Sequence, residues 1–311
     1  MGSGTPKSRT PLSTPKAPLA DNGYGSREDF PDDPSRPSPA RPSLESLAER
    51  ARSLRREIIQ MIATAGSGHP GGSLSTVDIL LVLYSCFLRH RGPENPDFED
   101  RDRFILSKGH GAPALYAVLA EFGYLSKEEM GTLRKLGSRL QGHPDKRFLP
   151  ILEASTGSLG QGLSVGVGMA LAARLDKKSY RTYVLIGDGE SEEGQIWEAA
   201  MSAAYRKLDN LTAIVDVNGI QLDGFTRDIL NLEPLAPKWE SFGWFVQEID
   251  GHDLRQIHDA LSRCSTHRGQ PSVIIARTVK GKGASEMENN PAFHGRAPNP
   301  DETARALRDL A

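Results

Sequence analysis

Cysteine is scarce in this 311-residue chain, with only Cys86 and Cys264, far apart. A disulfide framework or a thiolate-rich zinc cluster is thereby excluded, and the composition suits a reducing compartment. An excess of one charge is also lacking. With 38 basic against 40 acidic residues, the formal net charge of -2 creates no long-range field for nucleic acid or an anionic membrane. No run of about 18 apolar residues is available to span a bilayer, and the N-terminus has no apolar core of a secretory signal. Residues 1–20 carry basic and hydroxyl side chains with no acid before Asp21, a trait of transit peptides, but their abundant prolines speak against one. The expectation is a soluble, cytoplasmic protein without nucleic-acid or membrane partners.

Residues 1–42 are rich in Pro, Ser, Gly and charge and have almost nothing to bury, which predicts a disordered tail ahead of one domain over 43–311. Ser43 is the expected N-cap of a helix, because Leu44, Leu47, Ala51, Leu54, Ile58 and Ile62 follow at helical spacing. The pattern then meets the glycine-rich break "GSGHPGGS", a helix over about Ser75–Leu88, a short strand in "RFILSKGHG", and a helix in "APALYAVLAEFG". From residue 150 strands and helices take turns. A glycine loop opens a small-residue helix in "TGSLGQGLSVGVGMALAARL", and strands are predicted at Thr182–Ile186, Leu211–Val217 and 272–279. Helices are predicted at about Glu193–Lys207 and Leu254–Ser262. Near-continuous apolar strands alternating with helices predict an α/β fold, a doubly wound, mostly parallel sheet covered on both faces.

In such a sheet, ligands bind beyond the carboxyl ends of the strands. Asp188 stands directly after one predicted strand, between Gly187 and Gly189, and Asn218 directly after the next, with 28 residues between it and the "GDG". Alone, "GDG" is a turn tripeptide. If the two strands are neighbours, the pair gives one crevice a carboxylate and an amide oxygen, and a nearby backbone carbonyl completes a hard-oxygen half-shell of the kind magnesium prefers. The flanking glycines let backbone approach a diphosphate closely, and the helix that follows offers free N–H groups to anions. Other nucleotide readings fit less well. "GSLGQGLSVG" follows only the weak strand "LEAST" and lacks the acidic residue expected after a second strand, and "VKGKGAS" lacks P-loop spacing.

Seven motifs then occur in one order: "SGHPGGSLS" (67–75), "DRFILSKGHGAPALY" (102–116), "LGSRLQGHP" (136–144), "TGSLGQGLSVGVGMA" (156–170), "GDGESEEGQIWEAA" (187–200), "VDVNGIQLDG" (215–224) and "VKGKGASEMENNPAFHGRAP" (279–298). Through them the chain from about 45 to 300 resembles the N-terminal, thiamine diphosphate-binding half of the transketolase family. The resemblance implies that Asp188, the Asn218 side chain and the main-chain oxygen of Ile220 ligate Mg²⁺. It implies that Gly157, Ser158 and Leu159 line thiamine diphosphate through their backbone, with Gly189 and Asn218 at the diphosphate. His69, His110, His143 and His294 match histidines around the thiazolium and the substrate oxygens, His110 and His294 also touching the cofactor, and Glu193 matches a glutamate between cofactor-binding halves. Imidazole suits the expected chemistry, since cleaving a ketose between C2 and C3 takes a proton from the C3 hydroxyl and the reverse step returns it. His252 in "DGHD" reads as structural, and His90, His258 and His267 as solvent-facing.

The family's second α/β domain supplies the glutamate facing the aminopyrimidine N1′ and much of the phosphate-binding arginine set. With the chain ending at Ala311, the resemblance implies an N-terminal subunit of a split transketolase, moving a two-carbon ketol unit between sugar phosphates. It would work with a separate C-terminal subunit, as an α₂β₂ assembly. Ser158 stands where many members have proline, and "GGSLS" where "GAPLG" is commoner. These departures leave the donor open and keep in view a specialised pathway with a modified sugar or carrier-bound acceptor; a noncatalytic scaffold is a separate alternative. The intact set of Asp188, Asn218 and four histidines argues against the scaffold.

Overall fold

The structure, a computed structural model, describes residues 42–311. Except for Pro42, the expected tail lies outside the described residues. Helix α1 (Leu44–Ala65) starts where expected, with the Ser43 hydroxyl accepting from the Ser46 N–H, and stops at Gly66, whose φ of 63° supplies the left-handed cap. The glycine-rich break is not purely a break. It contains α2 (Pro70–Leu74), with Pro70 at its first position, and α3 (Val77–Cys86) follows, two residues shorter at each end than expected.

Strand β1 (Arg103–Leu106) leads into α4 (Ala112–Glu121) and the one-turn α5 (Lys127–Met130). Then come α6 (Gln161–Leu175), β2 (Thr182–Gly187), α7 (Gly194–Tyr205) and β3 (Leu211–Val217). Beyond β3 lie α8 (Thr226–Ile229), α9 (Leu235–Ser241), β4 (Phe245–Asp250), α10 (Leu254–Thr266), β5 (Ser272–Arg277) and α11 (Pro300–Asp309). The strand expected over 272–279 ends at Arg277, and "LEAST" forms no strand. Strand β4 is not evident from the apolar pattern. It lies at the sheet edge, and its polar residues interrupt the apolar run that marks its neighbours.

The sheet is parallel throughout, in the order β1-β2-β3-β5-β4. Side chains alternate between two buried layers. Phe104, Leu106, Tyr183, Leu185, Ile214 and Ile274 pack beneath α1, α3, α4 and α10. Ile105, Val184, Ile186, Ala213, Val215 and Ile275 pack against α6, α7 and α9 on the other face. This is the doubly wound arrangement expected, with both faces of the central strands dry. Among the described residues no helix is long and apolar enough to cross a membrane. The segments leaving β1, β2, β3 and β5 emerge at one rim, and the candidate site residues gather there.

Candidate active site

Strands β2 and β3 are neighbours, with Gly187 in register with Asp216. Asp188 and Asn218 therefore leave the sheet side by side. The Asp188 carboxylate accepts from the Gly219 N–H at 2.5 Å and from the Gly189 N–H at 2.9 Å, so it reaches directly onto the turn that carries Asn218. Asn218 is held by donating to Asp216 Oδ2 at 3.0 Å, which leaves its amide oxygen beside the Ile220 N–H at 3.2 Å. Gly189 is required by crowding, since a Cβ there would lie 2.6 Å from Gln221 Cβ. The carboxylate and the Asn218 amide oxygen thus meet on one turn, to which Ile220 also belongs.

Two buried cations lie beneath and beside these oxygens. Lys108, at the end of β1, pairs with Asp216 and donates to the Gly72 carbonyl at 3.0 Å. Burial alone would raise the Asp216 pKa. The Lys108 charge and hydrogen bonds from Lys108, Thr278 and Ser75 outweigh it and hold the carboxyl below its usual range. Lys280 donates to the Ile220 carbonyl at 2.6 Å and contacts His294 Nδ1 at 2.8 Å. Burial, with the Lys108 charge nearby, pushes the Lys280 ammonium down to about 7. Asp188 shifts the other way, up to about 6, by burial first and then by the like charge of Asp216. A carboxylate whose charge is disfavoured by burial and by Asp216, with an amide oxygen and a backbone carbonyl nearby, has the donor chemistry of a divalent-cation site.

The four expected histidines converge. The His69 ring centroid is 5.5 Å from that of His110, 5.9 Å from His143 and 5.6 Å from His294, and His110 stacks on His294 at 5.2 Å. Burial is the main cause of depressed basicity in each. With the Arg134 charge it takes His69 down to about 4, and with the Lys280 charge it takes His294 to about 3. His110 falls well below its usual value with help from Lys108, and His143 falls with help from Arg134. All four are neutral imidazoles at pH 7, each with one donor and one acceptor nitrogen.

Glu190, two residues beyond Asp188, joins three loops. One oxygen accepts from the Ser107 hydroxyl and from the Gly160 N–H at 2.8 Å, and the other accepts from the Gly187 N–H at 3.0 Å. This places the 157–160 loop against the β1 and β2 tips. Gly157 packs on the His143 ring, where an added Cβ would meet ring carbons at 3.2 Å. Ser158 is exposed at the loop crest, and the Leu159 carbonyl accepts from Gln195 Nε2 at 2.9 Å. Glu193 is the exposed N-cap of α7, beside this loop and outside the histidine cluster.

Sequence reasoning gives no role to Lys108, Lys280, Arg134, Asp216 or Glu190. A lysine set between small residues just past a buried strand ("SKGH", "VKGK") is the signal that could have marked two of them. His252 is structural, as expected, and part of a longer chain of contacts. Its Nδ1 faces Asp78 at 2.7 Å, Asp78 pairs with Arg55, and His252 Nε2 accepts from the Val279 N–H at 2.8 Å, one residue before Lys280. The expectation of solvent-facing histidines needs correction. His90, His258 and His267 are half-buried, because His90 bonds the Tyr124 hydroxyl at 2.9 Å, His258 lies against Phe87 and His267 stacks on Phe245.

Comparison with known proteins follows the same lines. The family profile described as "Transketolase, thiamine diphosphate binding domain" matches residues 46–310. The chain is 48% identical over 248 residues to the 6-deoxy-6-sulfo-D-fructose transketolase subunit SqwG of Clostridium sp. (strain MSTE9), covering 80% of this chain and 90% of that protein. It is 44% identical over 269 residues to an apulose-4-phosphate transketolase subunit from Actinobacillus succinogenes, covering 86% and 97%. Among solved structures, the transketolase of Campylobacter jejuni superposes with a TM-score of 0.81 at 36% identity. That match covers 86% of this chain but only 43% of that one.

Proposed function

Because this chain belongs to the transketolase family and carries its thiamine diphosphate-binding domain, we propose that it is the cofactor-binding subunit of a two-subunit transketolase. It moves a two-carbon ketol unit from a ketose phosphate to an aldose. One observation carries the reading: Lys280 touches both the Ile220 carbonyl and His294, so the hard-oxygen crevice and the histidine cluster form one continuous site.

In this reading Asp188, the Asn218 side chain and the Ile220 carbonyl hold Mg²⁺. Gly189 and Asn218 meet the diphosphate, and the backbone of Gly157, Ser158 and Leu159 lines the cofactor. When bound, thiamine diphosphate supplies the electron sink for cleavage between C2 and C3 of the ketose. The neutral His69, His110, His143 and His294 hold or move protons at the substrate's C3 hydroxyl and carbonyl oxygens, His110 and His294 also touching the cofactor. Each such group typically contributes about 10²–10⁴-fold in rate.

A separate C-terminal subunit, in an α₂β₂ assembly, is supported by two relatives of similar length that are themselves named subunits. Glu193 would lie at that interface. The exposed apolar side chains Val165 and Leu175 on α6, with Met201 and Tyr205 on α7, offer it a surface. A modified sugar is favoured by the same relatives, whose names specify 6-deoxy-6-sulfo-D-fructose and apulose 4-phosphate. A cytoplasmic location accords with the scarcity of cysteine, Cys86 half-buried and Cys264 buried.

Reconstitution tests the proposal. The chain alone with thiamine diphosphate and Mg²⁺ should show almost no ketol transfer, and adding the pyrimidine-binding subunit should restore it. A panel of ordinary ketose phosphates, 6-deoxy-6-sulfo-D-fructose and apulose 4-phosphate then ranks the donors. Full activity from the chain alone, or none from the pair on any donor, would refute the reading.

A further inference from the structure

Arg134 sits among the histidines without an acidic partner: no carboxylate pairs with it among the described residues. Its backbone holds a left-handed φ of 59°, and its N–H donates to the Leu140 carbonyl at 2.9 Å. One guanidinium nitrogen donates to the Ser67 hydroxyl at 2.8 Å, and the other lies 3.2 Å from His69 Nδ1. The guanidinium lies over Gly142, where an added Cβ would come within 2.9 Å of Nε and 3.0 Å of Cζ. A single side chain thus bridges the loop bearing His69 and the loop bearing His143.

Chemistry fixes the direction of the contact with His69. A guanidinium has five N–H donors, no acceptor, and does not deprotonate in proteins. His69 Nδ1 must therefore present its lone pair, and the proton of the neutral ring must sit on Nε2. His294 Nδ1 likewise faces the Lys280 amine at 2.8 Å. The His69 Nε2 lies 3.5 Å from where a side chain on Gly295 would begin.

The geometry points to Arg134 as a positioning residue that locks His69 in the Nε2–H form, so that His69 meets substrate as a hydrogen-bond donor to an oxygen and not as a base. This deepens the proposed function, and its catalytic consequence rests on that reading. The tautomer itself does not.

The test therefore has an arm that needs neither cofactor nor partner. Long-range ¹H–¹⁵N spectra of ¹⁵N-histidine-labelled chain at pH 7, with His69→Asn to assign the ring, should show His69 protonated at Nε2. Arg134→Met should abolish this single tautomer, Arg134→Lys should keep it, and Gly142→Ala, which crowds the guanidinium without removing it, should weaken it. In the reconstituted enzyme Arg134→Met should lower kcat by about 10- to 100-fold with little change in KM. It should also move the acid limb of kcat/KM to higher pH. The charged groups acting on His69 are Arg134, Lys280 and Lys108, with the rings of His143, His110 and His294 packed on it. Removing Arg134 lets the His69 pKa rise. An Nδ1–H tautomer in the wild type, or an Arg134→Met chain with unchanged tautomer and acid limb, would overturn the inference. Should Arg134→Met fail to fold, the wild-type tautomer and the Gly142→Ala spectrum still decide it. Correct tautomers in an inactive reconstituted pair would instead count against the proposed function alone.

Discussion

Replacing Lys108 by Met tests the buried charges beneath the site. Lys108 and Asp216 are both fully buried and paired, with the ammonium also on the Gly72 carbonyl. Methionine keeps most of the stem's volume but removes the charge. Asp216 would retain its hydrogen bonds from Ser75, Thr278 and Asn218 while losing its nearest cation. Removing one partner of a buried pair typically costs about 3–5 kcal/mol, because the remaining charge is left uncompensated. At roughly 2 °C per kcal/mol for a domain of this size, the melting temperature of the cofactor-free chain should fall by about 6–10 °C.

The pH dependence separates this cause from simple loss of packing. In the wild type the Asp216 pKa is depressed, so its contribution is present above the unfolded carboxyl pKa and is lost as pH falls through the lower folded value. In Lys108→Met, burial dominates and the folded pKa rises above the unfolded one. The ionised form then costs stability, and the gap between variant and wild type widens as pH rises. Thermal unfolding followed by circular dichroism at pH 5 and pH 8 should give the larger deficit at pH 8. Adding Asp216→Asn to Lys108→Met should recover much of it, since the orphaned charge is gone. A deficit equal at both pH values, or a double variant as unstable as the sum of the singles, would refute the argument.

Two further outcomes follow from the same geometry. Asp188→Ala should abolish Mg²⁺-dependent thiamine diphosphate binding in calorimetry while leaving the circular dichroism spectrum intact. Because burial raises the Asp188 pKa, the wild-type carboxylate costs stability as pH climbs through about 6, so the metal-free variant should compare better with wild type at pH 8 than at pH 4. Gly162→Ala should lower the melting temperature despite alanine's better helix propensity. Its Cβ would lie 2.4 Å from Ser107 Oγ and 2.8 Å from Ser107 Cα, overpacking that costs about 1–3 kcal/mol. By pushing the first turn of α6 off the Ser107–Glu190 junction, it should also weaken cofactor affinity.

These perturbations also mark the line between what the sequence disclosed and what it hid. Asp188 and Asn218 were legible because each ends a buried apolar run, where an oxygen-bearing side chain has no local reason to stand. The histidines were legible because glycine and proline on either side place them in loops. Both signals lie within a few residues of the group they mark. Lys108 and Asp216 are 108 residues apart in sequence, Ser75 and Asp216 are 141 apart, and Arg134 and His69 are 65 apart. No pattern near Lys108, Ser75, Asp216 or Arg134 names its distant partner, and only the β1-β2-β3 order brings Lys108 and Asp216 together. The same limit explains α2. Its glycines read as a break, yet Gly71 and Gly72 are there because Lys280 and His110 approach within about 3 Å of where side chains would begin. Local pattern reveals the groups that gather at the rim of the sheet. The cations that set their protonation are specified by tertiary contact, so Arg134 can govern His69 while nothing in "TLRKLG" announces it.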